Sequence, residues 1–319
     1  MSHKVLVCDK LADEGVAVLG RAADVEVLSS PPSEDALCEM VVPYHALVVR
    51  SGTKVTAAAV AAGVELRVIG RAGTGVDNID VDAATERGVL VLNCPGGNSM
   101  AAAEHAIAMM MALARSVPQA DASMKGGEWR KSDFMGTEVF RKTLGIIGVG
   151  RIGELVAQRA RGLEMQVLGC DPLLTPERAE ELRVEKVELD ELLQRADFVT
   201  VHAARTPETA GLIGKRELAL MKPSARLINC ARGGIVDEDG LWRALQSGAL
   251  AGAALDVFET EPPGKTPLFE LPNVIATPHI GAATREAQVN VAVDVAEQIV
   301  AVLAGGEPRA PVNVPKGRA

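Results

Sequence analysis

Residues 142–171, KTLGIIGVGRIGELVAQRARGLEMQVLGCD, constrain the fold more than any other part of this 319-residue chain. An apolar run with the composition of a strand ends in Gly148, Gly150 and Gly153, spaced G-x-G-x-x-G. A helical pattern follows, and a second apolar run ends in Asp171, 18 residues beyond the last glycine. Three spaced glycines alone say little in a chain that holds 31. Between a strand and a helix each has a task. Gly148 makes the turn, Gly150 lets backbone approach a pyrophosphate, and Gly153 lets helix and strand pack closely. The helix N-terminus offers free N–H groups to phosphate. Asp171 would accept hydrogen bonds from adenosine ribose hydroxyls and repel a 2′-phosphate, which predicts NAD as cofactor rather than NADP.

Strands and helices alternate on both sides of this turn. KVLVCD, VEVLSS, ALVVR, LRVIG and VLVLN read as strands, with LADEGVAVLG, PSEDALCEMV, KVTAAAVAAG and VDAATERG between them as helices. That spacing predicts a parallel sheet covered by helices on both faces. CPGGNS (94–99) breaks the pattern, and Asn98 or Ser99 can cap an Ala/Met-rich helix running to about residue 117. The alternation restarts at KTLGIIG and continues through MQVLGCD, DFVTVHA, ARLINCA, AGAALDV and NVIATP. A last helix is predicted from about Thr284 to Leu303, followed by an irregular tail, GGEPRAPVNVPKGRA. Two α/β units are therefore expected.

Composition narrows the partners. The formal net charge of −9 argues against nucleic acid and against an anionic membrane surface. A protein so charged can still bind anions through locally placed Arg and Lys, which makes individual arginines worth following. No apolar window approaches the ~18 residues of a membrane span, and the N-terminus lacks the apolar core of a signal peptide. The five cysteines form no CxxC pair and lie mostly in strand-like runs. Buried free thiols in a reducing, cytoplasmic setting are expected.

Ligands of open parallel sheets bind beyond the carboxyl ends of the strands. In the second unit ARLINC is followed by Arg232, AGAALDVF by Glu259 and Glu261, and NVIATP by His279 and Gly281. Cation, carboxylate and imidazole suit hydride transfer from an alcohol carbon. Histidine can take the hydroxyl proton near neutral pH, a carboxylate can hold its tautomer, and an arginine fork can hold a substrate carboxylate. His202 also ends a strand and reads as a wall of the cofactor pocket. His3, His45 and His105 have ordinary structural readings, at the terminus, at a strand start and within the Ala/Met helix. No His, Cys and acid group shows the spacing of a zinc site, so no metal is expected.

The segments GVGRIG, CARGGIVDE, ALDVFETEPP and TPHIGAAT resemble the D-isomer-specific 2-hydroxyacid dehydrogenases, and the likeness covers nearly the whole chain. VRSGTKV, IGRAGTGVDNID, GGNSMAAAEHAIAMMMALAR, DFMGTE and AQVNVAVDVAEQI are most similar to the phosphoglycerate dehydrogenase branch. The resemblance implies two Rossmann-like, doubly wound parallel-sheet domains. An NAD domain, 99–282, would be inserted in a substrate domain, 1–98 plus 283–319, with the active cleft between and the two long helices as crossovers. It implies Arg232, Glu261 and His279 as the catalytic set, with Glu261 rather than Glu259 as the acid.

Carried over position by position, NAD contacts fall on Thr74, Arg151, Ile152, Asp171, Ala203, Cys230, Ala231, Arg232, Asp256, His279, Ile280, Gly281 and Ala282. Arg50, Arg71 and Asn98 match the substrate side. Ala203 and Ala204 depart from the Thr-Pro common after this histidine, which leaves that cofactor contact to backbone. The resemblance implies a catalytic core without the regulatory domains into which many members of the branch continue, assembled as a homodimer or homotetramer.

Three activities fit these features. One is NAD-dependent oxidation of 3-phosphoglycerate to 3-phosphohydroxypyruvate, in serine biosynthesis. Another is reduction of a different small 2-keto acid, such as glyoxylate or hydroxypyruvate. The third is an NAD-sensing binding protein of the corepressor kind. The clustered substrate-side arginines favour the first.

Overall fold

A computed structural model describes residues 3–316; the last three residues of the expected tail lie outside them. Two compact units emerge, one made of Met1–Asn98 with Ala283–Ala319 and the other of Ser99–Ala282.

The first unit holds a five-stranded sheet: β1 (His3–Val7), β2 (Ala23–Val27), β3 (Ala46–Val49), β4 (Val68–Arg71) and β5 (Leu90–Leu92). Their order is β2-β1-β3-β4-β5 and every pairing is parallel. Side chains alternate across the sheet because the strand period is two. Val5, Val7, Val48, Val68 and Leu92 pack under the helix Arg285–Leu303 through Val291, Val295 and Ile299. Leu6, Leu47, Val49, Ile69 and Val91 face the other way, onto Leu37, Val60 and Ala84 of three short helices.

The tail is less irregular than its composition predicts. Pro311 bridges antiparallel to Leu92, and Val312 N donates to Val91 O at 2.8 Å. Asn313, nearly buried, accepts from Val91 N and donates to Val89 O. The open edge of β5 is thereby covered, which removes a row of unpaired backbone groups.

The second unit holds β6 (Thr143–Ile147), β7 (Gln166–Cys170), β8 (Glu185–Lys186), β9 (Phe198–Val201), β10 (Arg226–Asn229), β11 (Gly252–Leu255) and β12 (Val274–Ala276). The order β12-β11-β10-β9-β6-β7-β8 is again wholly parallel and reverses between β6 and β9. One face packs Leu144, Ile146, Phe198 and Ile228 against the helices Ser99–Ala114 and Arg151–Gly162. The other packs Ile147, Val199, Val201 and Leu227 against Leu192, Leu218 and Leu241.

The strand β8 was not expected, since it is two exposed polar residues at the sheet edge. The Ala/Met helix stops three residues before its expected end. Ser116 takes a left-handed φ of 50°, and Pro118 cannot donate back into the preceding turn, so a separate helix runs Val117–Lys125. Among the described residues, no helix is long and apolar enough to cross a membrane.

Candidate active site

The reversal of strand order between β6 and β9 opens the crevice in which doubly wound sheets bind ligands. Gly148 stands at that point with φ +88°, where an L side chain is strained. A Cβ there would also lie 2.7 Å from Ala203 N and 2.8 Å from His202 C, so the turn lies against the backbone that follows β9. A Cβ on Gly153 would reach 2.2 Å from Gly148 O, whereas Gly150 has nothing within 4 Å. Gly148 and Gly153 bring helix onto strand, and the open side at Gly150 leaves room for a pyrophosphate. Gly150 precedes the helix beginning at Arg151 and Ile152, and no side chain caps it. This cradle fits a dinucleotide.

Asp171 follows β7 and accepts from Val149 N at 2.8 Å and from Leu173 N at 2.7 Å. The carboxylate is thus tied to the glycine turn, with lone pairs left for a ribose. His202 N donates to Ile147 O, and its Nε2 lies 2.9 Å from Thr200 Oγ1. Desolvation pushes its imidazole down to about 4, so it is neutral near pH 7. Replacing Asp171 with Ala is expected to weaken NAD and to narrow its advantage over NADP at least tenfold. Removing one charge-assisted hydrogen bond and the repulsion of a 2′-phosphate accounts for about that much. Measured kcat/KM for both cofactors checks it; an unchanged ratio would mean that another residue reads the ribose.

The carboxyl ends of β10, β11 and β12 lead into Arg232, the two candidate acids and His279. After β10, the buried Asn229 pins the turn: Ala231 N donates to its Oδ1 at 3.1 Å, and its Nδ2 donates to Arg232 O at 3.0 Å. Cys230 and Ala231 form this turn, and Arg232 Nη1 donates to Ala231 O at 2.7 Å. Burial pushes the Cys230 thiol well above the usual range, aided by the nearby Asp256 charge. A Cβ on Gly233 would stand 1.7 Å from Phe258 O. Glycine is therefore required where the Arg232 loop meets the loop after β11.

That second loop separates the two candidate acids. Glu259 gives its N–H to Glu238 Oε1 at 2.6 Å, whereas Glu261 Oε1 accepts from Phe258 N and Oε2 lies 2.6 Å from His279 Nδ1. Burial, with the carboxylates of Glu259 and Glu261 nearby, raises the Glu238 pKa. His279 has φ +52°, a left-handed conformation uncommon for histidine.

Asp256, 1% exposed, explains how that turn holds. It accepts from Thr277 Oγ1 at 2.5 Å, Ile280 N at 2.9 Å and Gly281 N at 2.8 Å, and His105 Nε2 lies 3.3 Å away. Burial alone would raise its pKa, but these donors outweigh burial and hold the carboxyl below the usual range. Ala282 ends this unit.

In the first unit, Arg50 follows β3 and Asp9 follows β1, on either side of that sheet's own reversal. Arg50 N donates to Asp9 Oδ2 at 2.7 Å, and Asn78 Nδ2 donates to both Arg50 O and Thr53 O at 2.6 Å. The loop is fixed, yet Arg50 Nε is buried without a partner and Nη1 reaches Lys10 O only at 3.4 Å. Burial lowers the Arg50 pKa, and Asp9 partly offsets it. Arg71 ends β4 with its guanidinium over Gly73, where a Cβ would fall 1.8 Å from Nη1. Thr74 Oγ1 lies 2.8 Å from Asn98 Oδ1, and Asn93 Nδ2 donates to Thr74 O at 2.6 Å.

Sequence reasoning missed Asn229, Glu238 and the contacts of His105. A polar residue closing an apolar strand was the available signal for Asn229. His105 gave none.

Residues 107–281 match the model for the NAD binding domain of the D-isomer specific 2-hydroxyacid dehydrogenases. The chain is 52% identical over 312 residues to a D-3-phosphoglycerate dehydrogenase of Synechocystis, a match covering 98% of this chain and 56% of that protein. Across the curated relatives it matches, the chain spans only 56% to 60% of their length. Among solved structures, the TT0316 protein of Thermus thermophilus is 36% identical with a TM-score of 0.90, covering 97% of this chain and 100% of that one. A glyoxylate reductase of Paecilomyes thermophila is 31% identical with a TM-score of 0.88, covering 98% of each chain. NAD is thus the cofactor of the second unit, and the chain belongs to the D-isomer specific 2-hydroxyacid dehydrogenase family.

Proposed function

We propose that the protein oxidises 3-phosphoglycerate at its 2-hydroxyl to 3-phosphohydroxypyruvate. The observation that carries the chemistry is the 2.6 Å contact between His279 Nδ1 and Glu261 Oε2. With Nδ1–H donated to the carboxylate, Nε2 is left as the acceptor for the substrate hydroxyl proton. Glu261 then stabilises the imidazolium that forms. Arg232 holds the substrate carboxylate in a bidentate fork, which fixes the reacting carbon before the proton leaves. The chemistry NAD supplies when bound is acceptance of a hydride from C2. Gly148, Gly150, Gly153, Arg151 and Ile152 would hold its pyrophosphate, and Asp171 its ribose.

The phosphoglycerate dehydrogenase relatives support a phosphorylated substrate, and Arg50, with donors left over, supplies a cation for it. A charge-assisted hydrogen bond is worth roughly 1.5–3 kcal/mol. Arg50→Ala is therefore expected to raise KM for phosphoglycerate about tenfold or more, and to leave turnover of an unphosphorylated acid nearly unchanged. Salt should weaken the larger anion more, since its extra charge is screened. Equal losses for both substrates would make Arg50 a structural residue. A second reading, reduction of a bare 2-keto acid, is favoured by the likeness to a glyoxylate reductase.

The described cysteines are all free thiols, which supports a reducing compartment such as the cytoplasm. The helix Val117–Lys125 buries no residue, and Trp129 and Met135 beyond it are 79% and 89% exposed. Exposed apolar groups so close in sequence support a homo-oligomer.

A further inference from the structure

His105 lies within the helix Ser99–Ala114, whose neighbouring positions Ala102, Ala106 and Met109 are buried. Its Nε2 is 3.2 Å from Thr277 Oγ1 and 3.3 Å from Asp256 Oδ1. Thr277 has one hydroxyl proton, and at 2.5 Å it goes to Asp256 Oδ1. An ionised carboxylate only accepts. Both atoms facing His105 Nε2 are therefore acceptors, and Nε2 carries a proton. The pair is shielded from water, with side chains 17% and 1% exposed. The same Asp256 carboxylate holds Ile280 N and Gly281 N, the two residues after His279. A left-handed histidine persists only where its surroundings impose that conformation, and here the imposing contacts are these.

We propose, on the reading of His279 as proton acceptor, that His105 is a positioning residue for it. Its Nε2–H completes the ring of donors on Asp256 and Thr277 that holds residues 277–281 in the turn presenting His279 to Glu261. An aliphatic side chain in its place leaves a buried carboxylate one donor short, and the turn loosens where reach and angle decide proton transfer.

The test is steady-state kinetics of the full chain as His105→Leu and His105→Gln, with NADH affinity and thermal unfolding measured beside it. The leucine variant is expected to lose about ten- to a hundredfold in kcat, the worth of one hydrogen bond to a charged group. Its KM should stay within about twofold, and NADH affinity, anchored also by the glycine turn and Asp171, should fall by much less than kcat. Glutamine, whose amide N–H can reach the same acceptors, should recover kcat to within about threefold of wild type. Wild-type kcat in His105→Leu, or equal losses in both variants, would overturn the positioning role. Should the leucine variant not fold, Thr277→Val reads the same ring from its other side and is expected to give the same loss; full kcat there overturns the role as well. His279→Asn run in parallel separates the two levels. Near-normal turnover in it removes the proton-acceptor reading itself, whereas an inactive His279→Asn beside a fully active His105→Leu removes only the role of His105.

Discussion

His279→Asn should lower kcat by about two to four orders of magnitude, the usual worth of a positioned acid–base group, while NADH binding stays within about twofold. Asparagine is the replacement that isolates the proton. His279 sits at φ +52°, and asparagine tolerates the left-handed region better than other non-glycine residues. The turn clamped by Asp256 can therefore persist, and Glu261 keeps an amide N–H as partner. What disappears is the ring nitrogen that would accept the substrate proton. The glycine turn and Asp171 lie on other strands and are untouched, so cofactor affinity should not follow kcat down. Steady-state rates across pH, with NADH titrated by fluorescence, check both halves. Near-normal kcat at every pH would remove His279 from the chemistry.

Arg232→Lys should cost about a hundredfold in kcat/KM. A guanidinium offers five donors in a planar fork that matches a carboxylate at two points, and an ammonium is a point charge. Lysine can keep the attraction but loses the second hydrogen bond and the orientation it enforces, and small misplacement of a reacting carbon is expensive. The turn that presents Arg232 is built from elsewhere, by Asn229 beneath it and by Gly233 against Phe258. A charge-conserving change should leave that frame intact, so the loss reports on the fork itself. Wild-type kcat/KM in this variant would remove Arg232 from substrate binding.

These residues could be found in the sequence for a physical reason. A parallel sheet buries both faces, so its strands appear as uninterrupted Val, Ile and Leu runs, and whatever polar residue follows each run lies at the ligand edge. Arg232, His279 and Asp171 follow their strands in that way, and Gly148 and Gly153 stand out by their spacing. The end of the AGAALDV strand offered Glu259 and Glu261 together, and only the family resemblance singled out Glu261. What stayed hidden depends on contacts between residues far apart in the chain. His105 lies in an apolar helix and looks like any core histidine until Thr277 and Asp256 are folded against it. Glu238 and Glu259 are 21 residues apart, and nothing local marks Glu238 as the acceptor of the Glu259 backbone N–H. The strand β8 is two exposed residues without an apolar signal, formed because the neighbouring strand offers an edge. The tail lacks strand propensity, yet Asn313 supplies by side chain the hydrogen bonds that a strand would supply by backbone.

Oxidation of a phosphorylated 2-hydroxy acid with NAD is the proposed activity. It is tested most directly by NAD reduction rates with 3-phosphoglycerate, glycerate and lactate on the same preparation at one ionic strength. If Arg50 gives the phosphate two charge-assisted hydrogen bonds, kcat/KM for 3-phosphoglycerate should exceed that for glycerate about a hundredfold or more, with lactate lower still. Equal values for phosphoglycerate and glycerate, or NAD binding without turnover of any of the three, would contradict it.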